Sequence, residues 1–255
     1  MVFNLKNAKT NVLSLIGVCL GSLLFTTSAA FAVDQQSNIT QSGVTNVTPL
    51  TTQQVAELIK KSNFDKSFQI SATPEVVSEI NNIRNSDRAQ TFISDSLQRM
   101  KKYQPIIQDA LSKNNLPFEL LAIPLVESGY QPLKANVNPV QAAGIWQFIP
   151  ETAKNFGLVI NGSRDDRLNT KLSTEAALSY LTAIHSKRNN NWGLTVLGYE
   201  FGEDNVSNYV KAVGSNDVWT VVRSSEVPSS MKQFLAKFNA FLIIMKNPSI
   251  LNQSS

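Results

Sequence analysis

Apolar residues recur along this chain mostly at helical spacing. In "RAQTFISDSLQRMKKYQPIIQDALSK", Ile93, Leu97, Met100, Ile107 and Leu111 form one stripe of a helix, which Pro105 is expected to bend. "ATPEVVSEINNI" reads as a helix start, with Thr73 as N-cap and Pro74 in the first turn. Further helices are expected from Pro150 to Phe156, stopped by Gly157; from Ser173 to about Ser186; from Trp192 to Tyr199; from Glu203 to Val213, stopped by Gly214; and from Ser229 to Lys246. The last carries Met231, Phe234, Leu235, Phe238, Phe241, Leu242 and Met245, a stripe that reads as core-facing. No hairpin signal and no internal repeat interrupts this pattern, so the expected class is all-α.

The first 32 residues break the pattern. Lys6 and Lys9 precede an apolar run that ends in Ala30-Phe31-Ala32, the layout of a secretory signal peptide cleaved after Ala32. Export then places the protein in the periplasm or cell envelope. Residues 33–72 are expected to form a flexible polar tether, because "VDQQSNITQSGVTNVTPLTTQQ" lacks aromatics and period. Residues 73–105 form a helical extension, 106–251 the main domain and 252–255 a tail. No second apolar run is long enough to span a bilayer.

Composition narrows the chemistry. Losing the first 32 residues, which hold two lysines and no acid, lowers the formal net charge from +4 to +2. So mild a balance makes no case for nucleic acid. Cys19 is the only cysteine and leaves with the signal, so neither disulfides nor thiolate ligands are expected. His185 is the only histidine and reads as a solvated side chain near a helix end. No metal site and no cofactor are expected, because Asp165 and Asp166 lack further clustered ligands. Any catalysis must run on carboxylates and hydroxyls.

One carboxylate stands out. At about 100° per residue, Leu116, Leu120, Ile123, Pro124 and Glu127 share one side of the helix in "LPFELLAIPLVESGY". An ionised carboxylate on an apolar face is costly unless it is paired, hydrogen-bonded or protonated. Glu127 is therefore either a structural partner of a loop or buried arginine, or an acid tuned for chemistry. Downstream, "NPVQAAGIWQFIPETAKNFG" brings Gln147 and "LTVLGYEFGEDNV" brings Tyr199. An acid, an amide and a phenol that converge on one cleft would suit a carbohydrate site using general acid catalysis.

Together with "DDR" and "STEAALSYL", these motifs follow the order seen in lysozyme-like lytic transglycosylases, which the chain resembles from about Ile106 to Leu251. The resemblance implies cleavage of the MurNAc-β-1,4-GlcNAc bond in peptidoglycan glycan strands with formation of 1,6-anhydro ends. Glu127 would then be the single catalytic acid and base. Ser128 matches the residue beside the acid, and Gln147 the amide that contacts substrate. Tyr199 matches the phenol near the acid. Asn138 stands where the family commonly has a serine that contacts the N-acetyl group, and Gln141 replaces a usual glycine. Asp165, Asp166 and Arg167 resemble a segment whose charges read as structural.

The larger departure is Glu200, which replaces the asparagine of the family's "AYNAG". Glu200 either faces solvent or serves the structure of its loop, alters the chemistry towards lysozyme-like hydrolysis, or costs activity and leaves a glycan-binding envelope protein.

Overall fold

The computed structural model describes residues 47–135 and 139–251. The expected signal peptide with Cys19, the contact residue Asn138 and the tail lie outside them. The described chain is all-α as expected, with three isolated bridges and no strand.

Ten α-helices and three longer 3-10 turns build it. Helix α2 (Pro74–Arg84) starts where Thr73 accepts from the Val76 amide, and α3 (Asp87–Lys113) starts at Ser86. Helix α3 runs on through Pro105. Its expected stripe faces inward, with Ile93, Ile107 and Leu111 fully buried. A 3-10 turn at Phe118–Leu121 leads into α4 (Ala122–Ser128), and α5 spans Pro150–Asn155. Helix α6 (Thr170–Lys187) begins three residues before the expected Ser173, because the Asn169 side chain accepts from the Leu172 amide. Helices α7 (Trp192–Phe201) and α8 (Glu203–Val213) follow, the second closed by Gly214. A 3-10 turn at Pro248–Leu251 follows α10 (Ser229–Lys246).

Two helices depart from the sequence reading. The tether expected over 33–72 contains α1 (Thr52–Lys61), started by a capping box between Thr51 and Gln54 and held down by fully buried Val55. Its four apolar positions, Val55, Ala56, Leu58 and Ile59, follow a polar stretch without period, which hid its amphipathicity. Phe68, also within that stretch, stacks on Trp192 at 5.5 Å and lies 6.3 Å from Phe238. The six-residue α9 (Val218–Arg223), capped by Asp217, was too short for periodicity to reveal.

Helix α10 is the spine of the molecule and packs against α2, α4, α7 and α9. Residues 240–244 are all buried, which is why this stretch is apolar on every side. Arg84, 3% exposed, donates from Nε to the Ile250 carbonyl at 2.9 Å and from Nη1 to the Thr48 carbonyl at 2.8 Å. Glu119 Oε1 accepts from the Asp65 amide at 3.2 Å and lies 3.8 Å from Lys246 Nζ. The segment before α2 is thus docked on the main domain.

Candidate active site

Helix α4 is the shortest route to the site. All seven of its residues are buried, and Glu127 is 3% exposed. The helix ends at Gly129, whose φ of +56° is left-handed and whose added Cβ would lie 2.5 Å from Ser96 Oγ and 2.9 Å from Phe92 Cζ. Arg99 of α3 donates to the Gly129 carbonyl at 2.7 Å and to Ser96 Oγ at 2.9 Å, fixing that end of α4. Tyr130, fully buried, donates its hydroxyl to the Leu121 carbonyl at 2.6 Å. Burial pushes its phenol pKa far up, so Tyr130 is a neutral donor.

Ser128 joins this helix to the next segment. Its hydroxyl lies 2.8 Å from the Ile145 carbonyl and 3.2 Å from the Pro124 carbonyl, within donating reach of both. Residues 143–148 form a tight turn in which the amides and carbonyls of Ala143 and Phe148 exchange bonds of 3.1 Å. Gly144 is required there: φ is +80°, and an added Cβ would fall 1.9 Å from the Arg167 carbonyl oxygen. Gln147 adopts φ of +51°, a conformation uncommon for a side-chain-bearing residue, while being only 4% exposed. Its Nε2 donates to the Gly144 carbonyl at 2.6 Å, and among the described residues its buried Oε1 accepts no hydrogen bond.

The turn is clamped from two sides. Arg167, 2% exposed, donates to the Gln141 carbonyl at 2.5 Å and the Phe148 carbonyl at 3.0 Å. It also forms a forked pair with Asp165 at 2.9 and 2.7 Å, which holds that carboxyl below its usual range. Asp166 pairs with Arg164 at 2.6 Å and accepts from the Val159 amide. These charges are structural in kind, and Arg167 reaches further than the loop before α6, to Gln141 itself. Trp146 donates its indole N–H to Thr174 Oγ1 of α6 at 3.0 Å.

Helix α7 closes the site. Tyr199 donates to the Trp146 carbonyl at 2.7 Å, one residue before Gln147. Its ring lies 5.4 Å from Tyr180 and 6.2 Å from Phe148, and Tyr180 lies 4.9 Å from Phe156. Periodicity did not single out this aromatic row, because its members come from four separate segments. Burial and the nearby Glu203 and Asp204 push the Tyr180 phenol up to about 12.

Hydrogen bonds thus bring the segments of Glu127, Ser128, Gln147 and Tyr199 together. Glu200 is 8% exposed, so the solvent-facing alternative for it is excluded. His185 differs from expectation as well: it stacks on Trp192 at 3.8 Å, and burial lowers its pKa, favouring the neutral ring. No group of three or more potential metal ligands occurs among the described residues. Nor do they include a helix long and apolar enough to cross a membrane.

The chain is similar to membrane-bound lytic murein transglycosylase D of Escherichia coli, 33% identical over 160 residues that cover 63% of this chain and 35% of that protein. It thus spans about a third of that relative's length. It is also 33% identical over 109 residues to the peptidoglycan transglycosylase gp16 of Escherichia phage T7, covering 42% of this chain and 8% of that one. The Transglycosylase SLT domain family matches from residue 104 to residue 222. That span contains α4, the clamped turn and α7, every described element that carries the candidate site. Residues 104–222 of this chain are similar to the Transglycosylase SLT domain family.

Proposed function

We propose that this protein is a peptidoglycan lytic transglycosylase that cleaves the MurNAc-β-1,4-GlcNAc bond and leaves 1,6-anhydro-MurNAc ends. The observation that carries the reading is the burial of Glu127 at the end of an apolar helix, bonded through Ser128 to the turn that holds Gln147. Desolvation favours the protonated carboxyl, by as much as roughly 3 to 5 pKa units when burial is complete. A carboxyl kept protonated can donate to the glycosidic oxygen as the C1–O bond breaks. The resulting carboxylate then takes the proton from the C6 hydroxyl, whose oxygen closes onto C1. Atoms balance without a water nucleophile, and one carboxyl serves where ordinary glycosidases use two.

Neighbouring groups fit a sugar ligand. Gln147 Oε1, buried and without a hydrogen bond among the described residues, is the atom assigned to accept from a sugar hydroxyl or N-acetyl N–H, and the partly exposed rings of Tyr199, Tyr180 and Phe156 are assigned to pyranose C–H groups, with buried Phe148 backing Tyr199. Asn138 supplies an amide for the N-acetyl group. The main domain spans 106–251, preceded by a helical extension. The protein acts on glycan strands after export, with cleavage after Ala32, in the periplasm or envelope.

Digestion of purified sacculi followed by mass spectrometry of the fragments tests this. Anhydro ends are the expected product. Reducing ends would instead support hydrolysis through Glu200, and binding without fragment release would support a non-catalytic glycan-binding protein.

A further inference from the structure

Beside the candidate site, the segment after α5 and one face of α6 enclose a surface cleft of about 240 Å³. Its floor is apolar, made by buried Leu158 and Ala176, and Phe156 forms one wall. Two charged side chains, Arg164 and Glu175, stand at its exposed rim. Phe156 is also the outermost ring of the aromatic row. Ring centroids step 5.4 Å from Tyr199 to Tyr180 and 4.9 Å from Tyr180 to Phe156, a path no longer than about three extended residues.

The arginine is built into its place. Its amide and that of Ser163 donate to Asn161 Oδ1 at 2.9 and 3.1 Å, and the Asn161 amide donates to the Arg164 carbonyl at 2.8 Å, which closes a tight turn. Buried Asp166 accepts from Arg164 Nε at 2.6 Å with one oxygen and from the Val159 amide at 2.9 Å with the other. That carboxylate is structural, but the guanidinium it orients is 57% exposed, and its two Nη groups make no hydrogen bond among the described residues. An oriented guanidinium suits a carboxylate ligand, since little ordering remains to be lost on binding. Glu175 enters no ion pair among the described residues. Arg164 and Asp166 cancel, so Glu175 leaves the cleft net negative, and a lone carboxylate would be repelled. A group that carries an ammonium beside its carboxylate complements both rim residues.

We propose that this cleft binds the peptide stem of peptidoglycan by the zwitterionic outer end of its diamino acid, with the carboxylate on Arg164, the ammonium at Glu175 and the methylene chain over Leu158 and Ala176. The proposal rests on the glycan-cleaving reading for delivery of the stem, which hangs from the MurNAc ring. A diamino acid of the meso-diaminopimelate type ends in this pair of charges and stands third in the stem, which matches the reach from Tyr199. A cross-link acylates that ammonium and removes its charge. The cleft therefore selects strands whose stems are not cross-linked through it.

The test titrates 15N-labelled protein with the synthetic tripeptide L-Ala-γ-D-Glu-meso-diaminopimelate and follows the amide signals of Gly157, Val159 and Arg164 by NMR. Saturable shifts are expected, and Arg164→Gln and Glu175→Gln should each weaken binding by about three- to fivefold. The same tripeptide acetylated on its outer amine should bind the parent more weakly and be indifferent to Glu175→Gln. Unshifted cleft amides, unchanged affinity in both variants, or equal binding of the acetylated tripeptide overturns the proposal. Equal shifts of these amides by a GlcNAc-MurNAc disaccharide without peptide overturn it too, because they mark a sugar subsite. If circular dichroism shows Arg164→Gln unfolded, Glu175→Gln decides. The readout needs no bond cleavage, so it stands apart from sacculus digestion. Binding that is sensitive to the variants, in a protein that leaves sacculi intact, keeps the stem site and removes the cleavage reading. Anhydro fragments from a protein whose cleft amides stay still do the reverse.

Discussion

The Tyr199 hydroxyl donates to the Trp146 carbonyl at 2.7 Å, across 53 positions of sequence. This bond locks α7 to the turn that presents Gln147. Tyr199→Phe keeps the ring and removes the bond. It is expected to cost about 1 kcal/mol in urea unfolding with unchanged slope. Misplacing Gln147 would lower fragment release from sacculi by up to about 100-fold. Parent-like values of both would separate the phenol from the site.

Glu127→Gln removes the proposed acid and base while conserving volume. Fragment release is expected to fall by about 100- to 10,000-fold. Stability should not fall with it, because a neutral amide is cheaper to bury than a carboxylate. The pairing of lost activity with retained or raised unfolding free energy marks a residue placed for chemistry. Unchanged fragment release would remove Glu127 from its role.

Gly144→Ala places a methyl 1.9 Å from the Arg167 carbonyl at a backbone φ of +80°. The expected cost is at least about 2 kcal/mol in urea unfolding. Arg167→Leu empties the clamp from the other side and leaves Asp165 and the Gln141 and Phe148 carbonyls unpaired, for about 3 kcal/mol. Because both disturb one turn, the double variant should lose less than the two losses added.

Far from the site, Glu75 and Arg223 tie α2 to α9 through two bonds of 2.8 Å. The guanidinium lowers the Glu75 carboxyl from 4.5 to about 2. A folded value below the unfolded one stabilises the protein above the unfolded value, and the gain is lost as pH falls towards the folded one. The stability difference between the parent and Glu75→Gln should be constant above pH about 4.5 and vanish near pH about 2. The pair is largely exposed, so the difference is at most about 1 kcal/mol. Arg223→Met should abolish that pH dependence.

Sequence pattern revealed the elements that bury long regular stripes, such as α3 and α10, and the caps at Thr73 and Gly214. It also isolated Glu127, because a carboxylate on an apolar face violates a local rule. What it left hidden depends on tertiary placement. Val55 and Phe68 lie in mostly polar stretches, and only the core they enter explains the order around them. Gln147 at a positive φ gives no local signal, since the clamp by Arg167 that holds its turn lies twenty residues on. The sequence left the facing of Glu200 open, and only the packing of α7 against its neighbours buries it. For His185, pattern placed the helix end correctly but could not foresee Trp192 stacked on it.

Arg84 gathers carbonyls from Thr48 and Ile250, positions at opposite limits of the described chain, onto one guanidinium. Mechanically, this is a staple. Tension applied to the segment before α1 loads the bond to Thr48, and tension applied beyond the last turn loads the bond to Ile250. Both are carried by the same side chain at the end of α2. A load on either side therefore meets the Arg84 side chain as well as the backbone of the segment it pulls.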